Sequence, residues 1–309
     1  MKKYLGYVID DSTSLRDMLV EQLRFNDFEA HGYAEAETFL RDVFSATSLN
    51  LPDLIVVDLK LRPSRMQGIN LVSELADREV PSEILVISGN QPSKDLVEAI
   101  RIGAATSASK PFDSIFKLTD TMVRLAEIGK RRRRQSLGKG RGWEELDTSR
   151  EHRPVFLSHS SQDKRIAHGI RRNLEARDIG VWYAPSILDV GDKWRNRIEN
   201  GIDQATVFIA LITEAYVASP ICLGELTRYF RRIQVQADNQ LLLLPVLVSS
   251  STAIKRNDLI RPIFDGYHYL DLSTQFIDGL TVLLARIQRS LGGHVKEGVS
   301  RVEHKGSHV

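Results

Sequence analysis

One cysteine, Cys222, is the whole thiol inventory of 309 residues. A single thiol rules out an internal disulfide and fits a reducing cytoplasm. Long apolar runs are also missing. Nothing approaches the roughly 18 consecutive apolar residues of a membrane span. The basic start Met1-Lys2-Lys3 leads into an apolar run that meets Asp10-Asp11 too early for a signal-peptide core. Charge of one sign is scarce as well. The net charge of +2 implies neither nucleic acid nor membrane by itself. What remains is a soluble globular composition, 42% hydrophobic and 27% charged, long enough for two domains that each bury a core.

The first half alternates strands and helices. Leu54-Ile55-Val56-Val57-Asp58 is an unbroken apolar run ending in a carboxylate. Such a run suits a strand buried on both faces of a parallel sheet. Further strands are expected at 4–9, 29–33, 83–88 and 106–109. Helices fit a segment after Ser12 (its N-cap) with Leu15, Met18, Leu19 and Leu23 at helical spacing, 34–45, a segment opened by Gly68, one opened by Pro92-Ser93 and ended by Gly103, and 113–130. This order predicts a parallel, doubly wound sheet. Its strand ends carry Asp10-Asp11, Asp58, Ser88 and Lys110 on one edge, where open α/β sheets keep their chemistry. Three carboxylates gathered there repel one another unless a cation neutralises them, and hard oxygen ligands suit Mg²⁺. Asp58 could then be a nucleophile toward phosphorus, with Ser88 and Lys110 on the phosphoryl oxygens.

This constellation resembles the receiver domain of two-component response regulators over residues 1–128. The resemblance implies phosphotransfer to Asp58 from a histidine kinase or phosphotransfer protein, with Mg²⁺ on Asp10, Asp11 and Asp58. It also implies a cis Lys110-Pro111 bond. Two departures stand out. The loop 59–68 is longer than the family's usual one, and Ser107 occupies the position of the switch aromatic.

Residues 129–152 bring a composition shift. Lys130-Arg131-Arg132-Arg133-Arg134 and the glycine-rich stretch after it read as a solvated, self-repelling linker. The competing reading is an electrostatic contact with an acidic partner, an anionic surface or nucleic acid. No aromatic interleaving and no DNA-binding fold follow, so a transcription factor is not expected.

The second half alternates again. Strands are expected at 154–158, 181–183, 206–213, 241–248 (Pro245 placing it near an edge or bulge) and 267–270. Asp163 is read as a helix cap. An amphipathic helix carries Phe276 to Leu291, and a disordered tail follows from 292. Three segments, 155–163, 180–194 and Ser219-Pro220-Ile221-Cys222-Leu223-Gly224-Glu225-Leu226, resemble bacterial-type TIR domains over 153–291. The expected whole is two flavodoxin-like α/β domains joined by a basic linker.

Many TIR domains of this type cleave NAD⁺ at the nicotinamide–ribose bond, and the resemblance assigns Glu225 as the essential carboxylate. A fixed negative charge stabilises the oxocarbenium-like ribose as nicotinamide leaves. Placed on the first turn of its helix, Glu225 could instead merely favour the helix dipole. Ser158, Trp182, Asp189 and Trp194 are NAD-binding candidates. Ile221 replaces the motif's tryptophan, which Trp182, Tyr183 or Trp194 could substitute. Cys222 reads as a small buried hydrophobe and not a nucleophile. TIR self-association, or pairing with another TIR protein, is implied through loop 184–192. The alternative to an NAD⁺ hydrolase is a non-enzymatic interaction module switched by the receiver.

Overall fold

The computed structural model describes residues 3–44, 51–62, 64–89, 93–137, 154–183, 192–236, 241–249, 254, 257, 260–267 and 269–299. The chain forms two compact units. One comprises Met1–Glu151 with His168–Asp178, the other His152–Ala167 with Ile179–Val309.

The first unit is built on β1 (Tyr4–Ile9), β2 (Phe28–Tyr33), β3 (Leu54–Asp58), β4 (Glu83–Gly89) and β5 (Thr106–Lys110). They pair in parallel in the order β2-β1-β3-β4-β5. Every residue of β3 is buried, as its continuous apolar sequence requires when helices cover both faces. Helices α1 (Thr13–Phe25), α2 (Ala36–Val43), α3 (Gly68–Asp77), α4 (Lys94–Ile102) and α5 (Ile115–Leu137) connect and cover it. Ser93 caps α4 by accepting from the Leu96 N–H, and Gly103 ends it at φ 137°. Ser12 stands at the N-cap of α1 in extended geometry, but its hydroxyl makes no capping bond. Its N–H instead donates to Asp10 Oδ1 at 2.9 Å.

Helix α5 overturns part of the linker expectation. It runs through Gly129 and the whole basic block to Leu137. A Cβ on Gly129 would lie 1.9 Å from the Asp53 carbonyl oxygen, so the glycine allows close approach where flexibility was expected. Arg133 pairs with buried Asp53 at 2.9 Å, and the second Asp53 oxygen accepts from the Leu5 N–H. Arg132 pairs with Glu83, at the start of β4, and with Glu175. Two of the five basic residues are thus partners of buried carboxylates. The stretch 138–153 lies outside the described residues.

Segment 168–178 belongs to this unit for visible reasons. It is the latter part of α6 (Lys164–Glu175) and the residues after it. Arg172 donates through Nη1 to the Ser82 carbonyl at 2.6 Å and through Nη2 to the Val80 carbonyl at 2.8 Å. Asn173 donates to the Ala104 carbonyl at 3.2 Å. Ala176 joins the apolar core of Leu19, Leu23, Phe28 and Leu125.

The second unit repeats the topology. Its strands are β6 (Val155–Ser158), β7 (Val181–Tyr183), β8 (Val207–Ile212), β9 (Leu242–Leu247) and β10 (Leu270–Asp271), in parallel order β10-β9-β8-β6-β7. The helices are α7 (Asp192–Gln204), α8 (Glu214–Val217), α9 (Pro220–Gln236), α10 (Arg261–Gly266) and α11 (Phe276–Val299). Ile198, Ile202, Phe208, Tyr216, Leu226 and Tyr229 share one core. Pro245 sits on β9 beside edge strand β10, which pairs only with Val246 and Leu247, so the residue lies near an edge as its ring requires. A 3-10 turn over Ser161–Asp163 takes its cap from Ser160, and Asp163 accepts from Thr213 Oγ1 at 2.6 Å. Two expectations are corrected here. Strand β10 is two residues long, and short α10 precedes it. Finally, α11 continues past 292 to Val299, while 300–309 lie outside the described residues. No helix among the described residues is long and apolar enough to cross a membrane.

Candidate functional sites

Asp10 and Asp58 stand where adjacent strands β1 and β3 end, at the point where the strand order reverses. Crevices of that kind are the ligand sites of open parallel sheets. Both side chains are buried, Asp10 completely. Lys110, from the end of β5, reaches across to both, with Nζ 2.6 Å from Asp58 Oδ2 and 3.0 Å from Asp10 Oδ2. Burial raises the Asp10 pKa despite the bonds from Lys110 and the Ser12 N–H. Burial pulls Lys110 downward, but its bonds to Asp58 and Asp10 outweigh that and leave it raised. Asp11 accepts from the Arg62 N–H at 3.1 Å, and Asp58 Oδ1 from the Lys60 N–H at 3.1 Å. Ser88 is buried at the end of β4, with its hydroxyl 3.3 Å from the Gly89 carbonyl. The Lys110-Pro111 peptide is cis.

One carboxylate oxygen from each of Asp10, Asp11 and Asp58 lies within 4.8 Å of the others. Against these three charges stands the ammonium of Lys110, which bridges only Asp10 and Asp58. An all-oxygen cluster left net negative fits a small hard cation such as Mg²⁺. Two supports of the site were not read from sequence. Gly68 lets α3 start against the end of β3, since a Cβ there would lie 2.0 Å from the Asp58 carbonyl oxygen. Glu37 on α2 ties down the long loop after Asp58, accepting from Ser64 Oγ at 2.5 Å and the Met66 N–H at 2.8 Å. Ser107, at the position of the family's aromatic, is exposed on edge strand β5.

The second unit carries its own site at the equivalent reversal, between β6 and β8. Ser158 ends β6, and its hydroxyl donates to Glu225 Oε2 at 2.6 Å. The Tyr216 hydroxyl, from α8, lies 2.9 Å from Ser158 Oγ and 3.3 Å from the Cys222 carbonyl oxygen. All three side chains are buried. Burial pushes the Glu225 carboxyl up to about 7, with the Ser158 bond pulling the other way. Glu225 falls in the second turn of α9, since Pro220 opens the helix, so the dipole explanation for it loses its footing. Burial also drives the Cys222 thiol up to about 11, in keeping with an inert buried side chain.

The other candidates separate. Ser158 joins Glu225. Trp182 stacks on Phe156 at 6.1 Å and faces Gly201, which gives its ring a packing role in the core. Tyr183 stacks on His159 at 4.7 Å. Asp189 lies outside the described residues, as does the side chain of Trp194 on α7. Tyr216 went unread in the sequence, because nothing local distinguishes a tyrosine that reaches a distant strand end.

The response regulator receiver domain family matches residues 7–120, and the TIR domain family matches residues 155–284. The regulatory protein VirG of Agrobacterium tumefaciens (strain 15955) is 34% identical over 107 residues, covering 34% of this chain and 37% of VirG. The transcriptional regulatory protein FixJ of Rhizobium meliloti (strain 1021) is 30% identical over 113 residues, covering 37% of this chain and 52% of FixJ. The chain therefore spans between 37% and 52% of the length of these two relatives. The crystal structure of the NtrX receiver domain from Brucella abortus shares 27% identity, covering 40% of this chain and 96% of that one at a TM-score of 0.34. Residues 7–120 and 155–284 are thus a response regulator receiver domain and a TIR domain carried on one polypeptide.

Proposed function

We propose that this protein is a two-component response regulator whose receiver domain accepts a phosphoryl group on Asp58 and controls a TIR domain that cleaves NAD⁺. The observation that carries the reading is Lys110 Nζ at 2.6 Å from Asp58 Oδ2, beside the clustered oxygens of Asp10 and Asp11. An Asp58 oxygen attacks phosphorus, the bond from phosphorus to the donor breaks, and an acyl phosphate forms. Lys110 shifts from the free carboxylate to a phosphoryl oxygen, and Ser88 Oγ hydrogen-bonds another. Asp10 and Asp11, with Asp58, would hold Mg²⁺, which supplies neutralisation of the phosphoryl charge. The donor is a histidine kinase or phosphotransfer protein.

In the TIR domain, Glu225 in its ionised form faces the ribose cation that develops as the glycosidic C–N bond breaks and neutral nicotinamide leaves, and a water then bonds to the anomeric carbon and gives a proton to solvent. Ser158 holds the carboxylate in place. A second reading has its own support. Ile221, where the motif has tryptophan, is 60% exposed on α9. It offers no ring to stack on a nucleotide, so the TIR domain would be an assembly module without chemistry.

Labelled acetyl phosphate with Mg²⁺ tests the receiver half. The full chain takes up hydroxylamine-labile label, and Asp58→Asn takes up none. Equal labelling of the variant, or an unlabelled wild type, would remove Asp58 from the scheme. Running NAD⁺ consumption in the same tubes reads the direction of control.

A further inference from the structure

Glu225 is served by a chain of hydroxyls and by no cation among the described residues. The titratable groups acting near it are Tyr216 on α8 and Cys222 on its own helix, while Asp163 from the turn after β6 acts on Cys222. A carboxyl group that changes charge in a buried place changes its hydrogen-bonding needs. Ionised, it only accepts; protonated, it must also donate. A fixed donor such as a backbone N–H serves the first state and obstructs the second. Hydroxyls rotate and can do either.

We propose that Tyr216 and Ser158 are positioning residues that form a reversible hydrogen-bond chain, holding Glu225 in one geometry in both of its protonation states. With Glu225 ionised, Tyr216 donates to Ser158 Oγ over 2.9 Å, and Ser158 donates to Glu225 Oε2 over 2.6 Å. With a proton taken from solvent onto Oε2, every bond turns round. Glu225 donates to Ser158, Ser158 donates to the Tyr216 oxygen, and Tyr216 donates to the Cys222 carbonyl, 3.3 Å away. No proton passes along the chain; each hydroxyl rotates in place. The Cys222 carbonyl completes the protonated arrangement, and it can do so because Cys222 lies one helical turn before Glu225 on α9. Neither arrangement strands a buried hydroxyl, which is the costly outcome in such a site. The catalytic use of this chain rests on the NAD⁺-cleaving reading, but the chain itself does not.

Two hydroxyl deletions separate the roles, because they move the Glu225 titration in opposite directions. Ser158→Ala removes the donor of the ionised form and the weaker acceptor of the protonated form. Its midpoint rises by about one pH unit, the difference between a hydrogen bond to a charged group and one to a neutral group. Tyr216→Phe keeps the ring but leaves the Ser158 proton without an acceptor when Glu225 is protonated, so its midpoint falls. Because Tyr216 acts only through Ser158, the double variant titrates like Ser158→Ala alone.

The measurement is the carboxylic-acid infrared band of the full chain across pH, assigned by its loss in Glu225→Gln. It needs no turnover. The pH profile of kcat/KM is the second readout, with midpoints moving in the same directions. Opposite shifts in the infrared titration with no NAD⁺ loss in any variant would keep the chain and remove the enzymatic reading. Shifts of the same sign, an unmoved midpoint in folded Tyr216→Phe, or additive effects in the double variant would overturn the chain whatever the activity.

Discussion

Arg132→Met should cost the full-length protein about 3–5 kcal/mol, the range for breaking a buried ion pair from one side. The size comes from what is left behind. Glu83 is fully buried at the start of β4, and Glu175 is largely buried on α6. Glu83 pairs with Arg132, and Glu175 pairs with Arg132 and, at 3.5 Å, with Arg171, so Glu83 is the carboxylate left stranded. Burial by itself would lower the arginine's pKa, yet the two carboxylates hold it raised, so the guanidinium stays charged. Methionine matches the stem of the side chain and removes only the guanidinium, so lost packing contributes little. Urea unfolding of the full chain gives the number. Arg134→Met is the control, since Arg134 is exposed in the same basic block and its loss should fall within about 0.5 kcal/mol. Arg132→Met with Glu83→Gln should recover part of the loss by removing the stranded charge. If Arg132→Met behaves like Arg134→Met, the basic block is the solvated run its composition suggested.

Glu225→Gln should do two things at once. NAD⁺ consumption should fall by about 10²–10³-fold, the usual effect of removing one electrostatic stabiliser from a buried site. Stability should rise at alkaline pH. The folded carboxyl titrates at about 7, against 4.5 for the ordinary group. A carboxyl raised in this way binds its proton more tightly in the native state. Its contribution to stability is therefore complete below about pH 4.5 and is lost as pH climbs through 7. At pH 8 the wild type carries a buried charge that glutamine does not, and the variant should be more stable by about 3 kcal/mol. The gap should close steadily toward pH 4.5. Melting curves across this range test it, and a gap independent of pH would mean that Glu225 is not buried as an acid. Retained NAD⁺ loss in the variant would move the chemistry elsewhere. Unchanged, absent activity in both proteins would favour the assembly module, in keeping with Ile221 standing where the motif has tryptophan. A gain in stability on losing activity is what a functional charge held in an unfavourable place predicts.

Much of the receiver was legible because its signals are local. The run Leu54–Asp58 shows both its burial and its terminal carboxylate in five consecutive residues. Alternating periodicities then order the strands, and right-handed parallel connections leave few ways to stack them. Asp10, Asp11, Asp58, Ser88 and Lys110 each end or follow a strand, so topology alone brings them to one edge. The basic block misled for a related reason. Composition reports charge and not its partners, and Asp53, Glu83 and Glu175 are far from Arg132 and Arg133 along the chain.

The sequence by itself determined two doubly wound α/β domains, the strand-end carboxylate of Asp58 with its acidic neighbours, and Glu225 as the carboxylate to watch. Periodicity, strand-end placement and motif wording are properties of neighbouring residues, and neighbours are what a sequence shows. Tertiary structure alone decided that α5 extends through the arginines and that residues 168–178 pack into the first unit. It also decided that Ser158 and Tyr216 converge on Glu225 from separations of 67 residues and nine residues along the chain. Each of these depends on which buried polar group lacks a partner once the strands have stacked. Burial removes water as the default partner, so the contacts that satisfy such groups are set by the assembled fold and not by any local pattern.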